Sequence, residues 1–117
     1  MPRKQVDQKT KDRVANRLKE AMDAKGLNGR ALSKLSGVSE VDISSYRNAR
    51  YLPQQDKLFM LALALGVSPT WLWGTEDEKE DDNEFEFLWL NLNEKHQAQV
   101  KEYMRFLLLQ EVKGAKE

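Results

Sequence analysis

The chain has 117 residues, no cysteine, one histidine, and 19 basic against 19 acidic side chains. That length suits one compact domain with an appendage, and a domain of roughly 75 residues buries only enough apolar area to fold marginally, which favours help from a second subunit. With no thiol and one histidine, disulfides, thiolate metal sites and histidine clusters are excluded, no cofactor or metal is expected, and a reducing cytoplasm is the simplest setting.

The longest apolar runs, such as Leu58 to Leu65, fall far short of the roughly 20 residues a membrane span requires. No signal-like apolar stretch follows Met1, which also points to the cytoplasm. Charge is segregated: residues 1–75 carry 13 Lys/Arg against 7 Asp/Glu, residues 76–87 carry 1 against 8, and residues 88–117 carry 5 against 4. Polyanion binding responds to potential within a Debye length of about 8–10 Å, so the basic front attracts phosphate wherever the acidic run lies elsewhere.

Residues 1–10 (MPRKQVDQKT) have no apolar periodicity and read as a flexible basic arm, which either frays in solvent or follows a nucleic-acid backbone. From Lys11 to Lys25, Val14, Leu18 and Met22 with Ala15 and Ala21 form one apolar stripe, and Gly26 ends the helix. Arg13, Arg17 and Lys19 lie opposite the stripe and read as a wet helix face.

Asn28 to Asn48 (NGRALSKLSGVSEVDISSYRN) holds two short helical patterns hinged at Gly37-Val38-Ser39, the spacing a helix-turn-helix needs to enter a DNA groove. In the first pattern Ala31, Leu32 and Leu35 share a face, Asn28 can cap the start, and Gly37 can end it in the left-handed conformation. In the second, Ser39 is a candidate N-cap, with Asp42 as a capping-box variant whose carboxylate reaches the free amides. Ile43 and Tyr46 point inward with Val38. Glu40, Val41, Ser44, Ser45 and Asn48 are left on the opposite face as candidate base readers. Glu40 suits a cytosine amino group, Val41 a thymine methyl, and Ser44 or Ser45 several base edges.

Tyr51-Leu52 lead into Pro53, so the chain leaves the helix in a loop. Arg47, Asn48, Arg50 and the Tyr51 hydroxyl are donors placed to hold phosphate oxygens, with Asn28 and Arg30 completing that set; such contacts position a protein without reading sequence. Further on, Phe59, Met60 and the leucines of a fourth helix read as core, and Trp71 as a seal at the base of the domain. The acidic stretch Thr75 to Glu84 reads as a solvated linker. A less favoured alternative has Glu76, Asp77, Glu78 and Glu80 competing with DNA for the basic face.

Phe85, Phe87, Leu88, Trp89, Leu90 and Leu92 then precede a helical pattern from about Asn93 to Gln110. Val100, Tyr103, Met104, Leu107 and Leu108 make a wide apolar stripe, extended by Phe106 and Leu109. A free helix cannot expose so much without aggregating, so the stripe must pack on the first domain or on another subunit, and a homodimer is favoured. His96 reads as an incidental surface residue.

Leu32, the Gly37-Val38-Ser39 hinge and Ile43 resemble the phage-repressor (Cro/CI-type, XRE) helix-turn-helix family. The likeness continues through Pro53, Leu58, Leu61-Ala62, Ala64-Leu65-Gly66-Val67-Ser68 and Trp71-Leu72. It implies a five-helix lambda-repressor-like DNA-binding domain over residues 11–74; with the acidic linker over 75–84 and the C-terminal helical dimerisation segment over 85–117 read from the residues themselves, an all-α protein is expected. It also implies a transcriptional regulator of double-stranded DNA and not an enzyme. Three positions depart from the family pattern. Gly29 stands where a backbone-clamping Gln is common, which removes that contact or moves it to Arg30. Arg47 and Ala49 replace the Glu and Gly that often end the reading helix.

One reading helix spans too few base pairs to select a site, whereas a two-fold dimer presents two of them about 34 Å apart, one turn of DNA. An inverted-repeat operator and repression by promoter occlusion are therefore expected. The roughly 30 residues after Glu84 are too few for the self-cleaving peptidase domain of longer family members. Release from DNA then calls for an antirepressor, a competing regulator or another protein partner. Two rival readings stay open: an antitoxin-type autorepressor whose C-terminal segment binds a toxin, and a protein-interaction adaptor without DNA binding.

Overall fold

The computed structural model describes the backbone of residues 2–75 and 84–115, and the side chains of residues 8–75 and 84–115. Residues 76–83 of the expected acidic linker (75–84), with Glu76, Asp77, Glu78 and Glu80, lie outside the described residues, and Glu84 is the first residue of a helix. All regular structure among the described residues is helical: α1 (Pro2–Lys25), α2 (Gly29–Ser36), α3 (Glu40–Arg47), α4 (Gln55–Leu65), α5 (Pro69–Trp73), α6 (Glu84–Leu90) and α7 (Glu94–Ala115). The chain divides into two compact units, Met1–Asp81 and Asp82–Glu117.

In the first unit several helix ends have a local cause. The Asn28 Oδ1 accepts the Ala31 N–H at 2.8 Å and Gly37 adopts φ 80°, so α2 starts and stops where its sequence signals stand. The Ser39 Oγ accepts the Asp42 N–H at 3.1 Å to start α3. Ser68 likewise caps α5 ahead of Pro69, which sits in the first turn where a missing N–H costs nothing. The five helices close on one cluster built from Leu18, Met22, Leu32, Val38, Ile43, Tyr46, Leu61, Leu65, Trp71 and Leu72.

Several expectations need correction. α1 begins at Pro2, so residues 2–10, expected as an unstructured arm, are helical; proline at the first helical position is compatible with a helix start there. Leu35 is 63% exposed: α2 has only two turns, and Leu32 alone reaches the core from it. Met60 is 44% exposed because the buried face of α4 runs through Leu58, Leu61, Ala62 and Leu65, the helical spacing from which Met60 falls off. Nor are Arg13 and Arg17 a free wet face. The Arg17 guanidinium donates to the Trp71 carbonyl and lies 5.0 Å from the centre of its ring, tying α1 to α5. Arg13 lies across Gly74, where a Cβ would overlap its side chain.

In the second unit the apolar stretch after the linker is itself a helix, α6, so two helices stand where one was expected. The Asn93 Oδ1 accepts the His96 N–H at 2.8 Å and caps α7. Gln97 Nε2 donates to the Trp89 carbonyl at 2.8 Å, and Lys101 Nζ lies 5.5 Å from the Trp89 ring, joining the two helices. Neither helix has a buried side chain: Val100 is half-buried, whereas Tyr103, Met104, Leu107 and Leu108 are exposed.

Candidate nucleic-acid interface

Ile43 and Tyr46, both buried, fix α3 against the core and so fix which side faces out. Glu40, Val41, Ser44 and Asn48 are exposed on that side, and Ser45 is half-buried at its edge. Val41 is 75% exposed, an apolar side chain in the first turn with no core role. Asn48 Nδ2 donates to Ser44 Oγ at 3.3 Å, which leaves the Asn48 carbonyl oxygen and the Ser44 hydroxyl proton for other partners.

Asp42 does not complete a capping box. Its carboxylate accepts Lys57 Nζ at 2.9 Å, an ion pair that joins α3 to α4. The bond from Lys57 holds the Asp42 carboxyl below its ordinary 3.8, assisted by the lysine's charge and by Ser39, and Asp42 in turn raises Lys57 above 10.5. A carboxylate in the first turn of α3 would repel a polyanion; Lys57 offsets it. Glu40 is then the carboxylate of α3 without a protein partner among the described residues.

Of the expected phosphate ligands, Arg30, Arg50 and Tyr51 are exposed. Asn28 is exposed too, but its oxygen is committed to the cap, so only its amide N–H groups remain. Arg47 is half-buried: its Nε is sealed from solvent without a hydrogen-bond partner, and its Nη1 lies 3.8 Å from where a Cβ on Gly29 would sit. After α3, Ala49 N–H bonds the Tyr46 carbonyl at 3.2 Å and Arg50 N–H bonds the Ser45 carbonyl at 2.9 Å. This pair of bonds is a Schellman ending with alanine in the left-handed place, at φ 58°.

Lys19, expected as part of a wet helix face, lines a cleft of about 220 Å³ with Ser44, Arg47 and Asn48, which continues past Asp12, Asn16 and Ala49. Periodicity alone does not separate Lys19 from other exposed lysines of α1; the packing of α1 on α3 does. The stripe Val100, Tyr103, Met104, Leu107 and Leu108 belongs to the second unit.

Residues 18–72 match the family model described as Helix-turn-helix, from within α1 to within α5, and so include α2, the hinge, α3 and α4 entire. No curated protein and no solved structure matches the chain significantly. No helix among the described residues is long and apolar enough to cross a membrane. With its two short helices hinged at Gly37, the outward face of α3 and its matching segment, residues 18–72 form a helix-turn-helix domain of the Cro/CI type, the kind carried by DNA-binding transcriptional regulators.

Proposed function

We propose that this protein is a phage- or prophage-type repressor that binds an inverted-repeat operator as a homodimer. The observation that carries this reading is the outer face of α3. It exposes Glu40, Val41, Ser44 and Asn48, side chains able to address base edges, and Arg30, Arg47, Arg50 and Tyr51 flank it. Dimerisation rests on the α7 stripe, since exposed apolar side chains along a helix need a second surface to cover them. Glu40, Val41, Ser44, Ser45 and Asn48 read bases in this scheme, and Asn28, Arg30, Arg47, Arg50 and Tyr51 hold the backbone.

Selection of bound fragments from random duplex DNA, combined with the mass of the protein in solution, tests the proposal. An enriched inverted repeat and a mass of two chains are expected. Glu40→Ala should change which bases are preferred, whereas Arg50→Ala should weaken all sequences alike and reduce the salt slope by about one. Uniform weakening by both would remove Glu40 from the readers. One observation bears on a second reading, an antitoxin whose C-terminal segment binds a toxin: Phe106 and Leu109 are exposed on α7, at 53% and 57%, and widen the apolar surface open to a partner. Stable co-purification with a small protein from the neighbouring gene would support it.

A further inference from the structure

We infer that the cleft between α1 and α3 is the seat for one DNA backbone phosphate, held by Lys19 and Arg47. The inference rests on the DNA-binding reading above and adds to it a residue, Lys19, and a geometry. Two cations and two neutral polar side chains, Ser44 and Asn48, line the inner part of the cleft, where no carboxylate stands. Neither Lys19 nor Arg47 has a protein acceptor among the described residues. Two like charges facing one pocket repel until an anion enters, so the pocket is electrostatically complementary to phosphate.

Arg47 is held in advance of binding. Its Nε is enclosed, its guanidinium lies beside Gly29, and its place at the end of α3 is favourable for a cation. A Cβ at Gly29 would meet the guanidinium in ordinary van der Waals contact, and α2 itself offers no side-chain donor at its first residue. A guanidinium already fixed loses less freedom on binding than one extended in solvent, as Arg30 and Arg50 are. Asp12 stands in the outer part of the cleft, where Gln8 Nε2 donates to it at 2.9 Å, and so marks the side from which an anion is repelled.

The test uses the full chain and its selected duplex, with affinity measured across a range of salt. Lys19→Met and Arg47→Met should each weaken binding of all sequences by a common factor. The double variant should lose about one unit of salt slope in total rather than two, since both side chains serve the same phosphate. Lys19→Arg should restore the slope. A duplex with one neutral methylphosphonate at the seated position should weaken the wild type by the same factor as the double variant, and should not weaken the double variant further. Unchanged unfolding midpoints confine the effect to binding. Wild-type slope and affinity in Lys19→Met and Arg47→Met would overturn the seat while leaving DNA binding intact. If the wild type binds no duplex at all, titration with inorganic phosphate decides: amide shifts at Ser44 and Asn48 that vanish in Arg47→Met support the seat, and no shifts overturn it.

Discussion

Ala49 holds the one positive φ of a non-glycine residue among those described, 58°. Its Cβ crowds the following carbonyl there, a strain of order 1–2 kcal/mol that glycine does not carry. Replacement by glycine gives some of that back as greater freedom of the unfolded chain. Ala49→Gly should therefore raise stability by about 0.5–1 kcal/mol, seen as a higher urea midpoint at unchanged m value. A second residue-scale expectation concerns acid. Because the Asp42 carboxyl lies below its ordinary 3.8 when folded, its pairing contributes stability above that value, and the contribution is lost as pH falls through the lower folded value. Wild type should lose more stability between about pH 6 and pH 2.5 than Asp42→Asn does, with both measured by urea unfolding. Residues acting through bonds within four positions were legible in the sequence: Asn28, Gly37 and Ser39 all do what their types and places announce. Asp42 was misread because its partner, Lys57, is 15 residues away.

At the scale of elements, the apolar spacing foretold most of α1 together with α2 and α3, whereas α4 and α5 came from the family resemblance; the stripe of α1 through Val14, Leu18 and Met22 is buried as expected. What spacing could not supply is which neighbour covers the rest of a helix. Arg17 looked solvated since it lies opposite the stripe, yet α5 packs back on α1 and brings the Trp71 carbonyl and ring to it. Leu35 failed in the other sense: apolar, on the expected face, and reached by no neighbour that buries it. The start of α1 and the existence of α6 were missed because neither segment shows an amphipathic period in its few residues. Arg17→Met keeps the apolar stem but removes the donor, leaving the Trp71 carbonyl one partner short. It should cost about 1.5–3 kcal/mol, the range for hydrogen bonds to charged groups, and lower the thermal midpoint by several degrees. No loss would mean that α5 is held by Trp71 and Leu72 packing alone.

For the whole molecule, the first unit has its own core and the second has no buried side chain among its described helices, so the two halves of the chain answer to different conditions. The division into a helix-turn-helix domain and a C-terminal helical part was legible from composition, whereas the partner of α7 was not, since an exposed stripe looks the same for any cover. A charge in that stripe separates the cases. Leu107→Asp should reduce the protein to single chains in sedimentation equilibrium, leave the unfolding midpoint of the first unit unchanged, and lower affinity for an inverted repeat far more than for half of one. Loss of affinity for the half-site as well would show that α7 supports the domain rather than pairing it.

From Lys101 to Ala115 every side chain of α7 stands in solvent in the lone chain. When such a surface is hidden only by a second copy, abundance becomes a signal: at low levels the number of paired molecules follows the square of the number made. A gene governed by this protein would then respond steeply to dilution as a cell grows and divides, with no small molecule required to set the threshold.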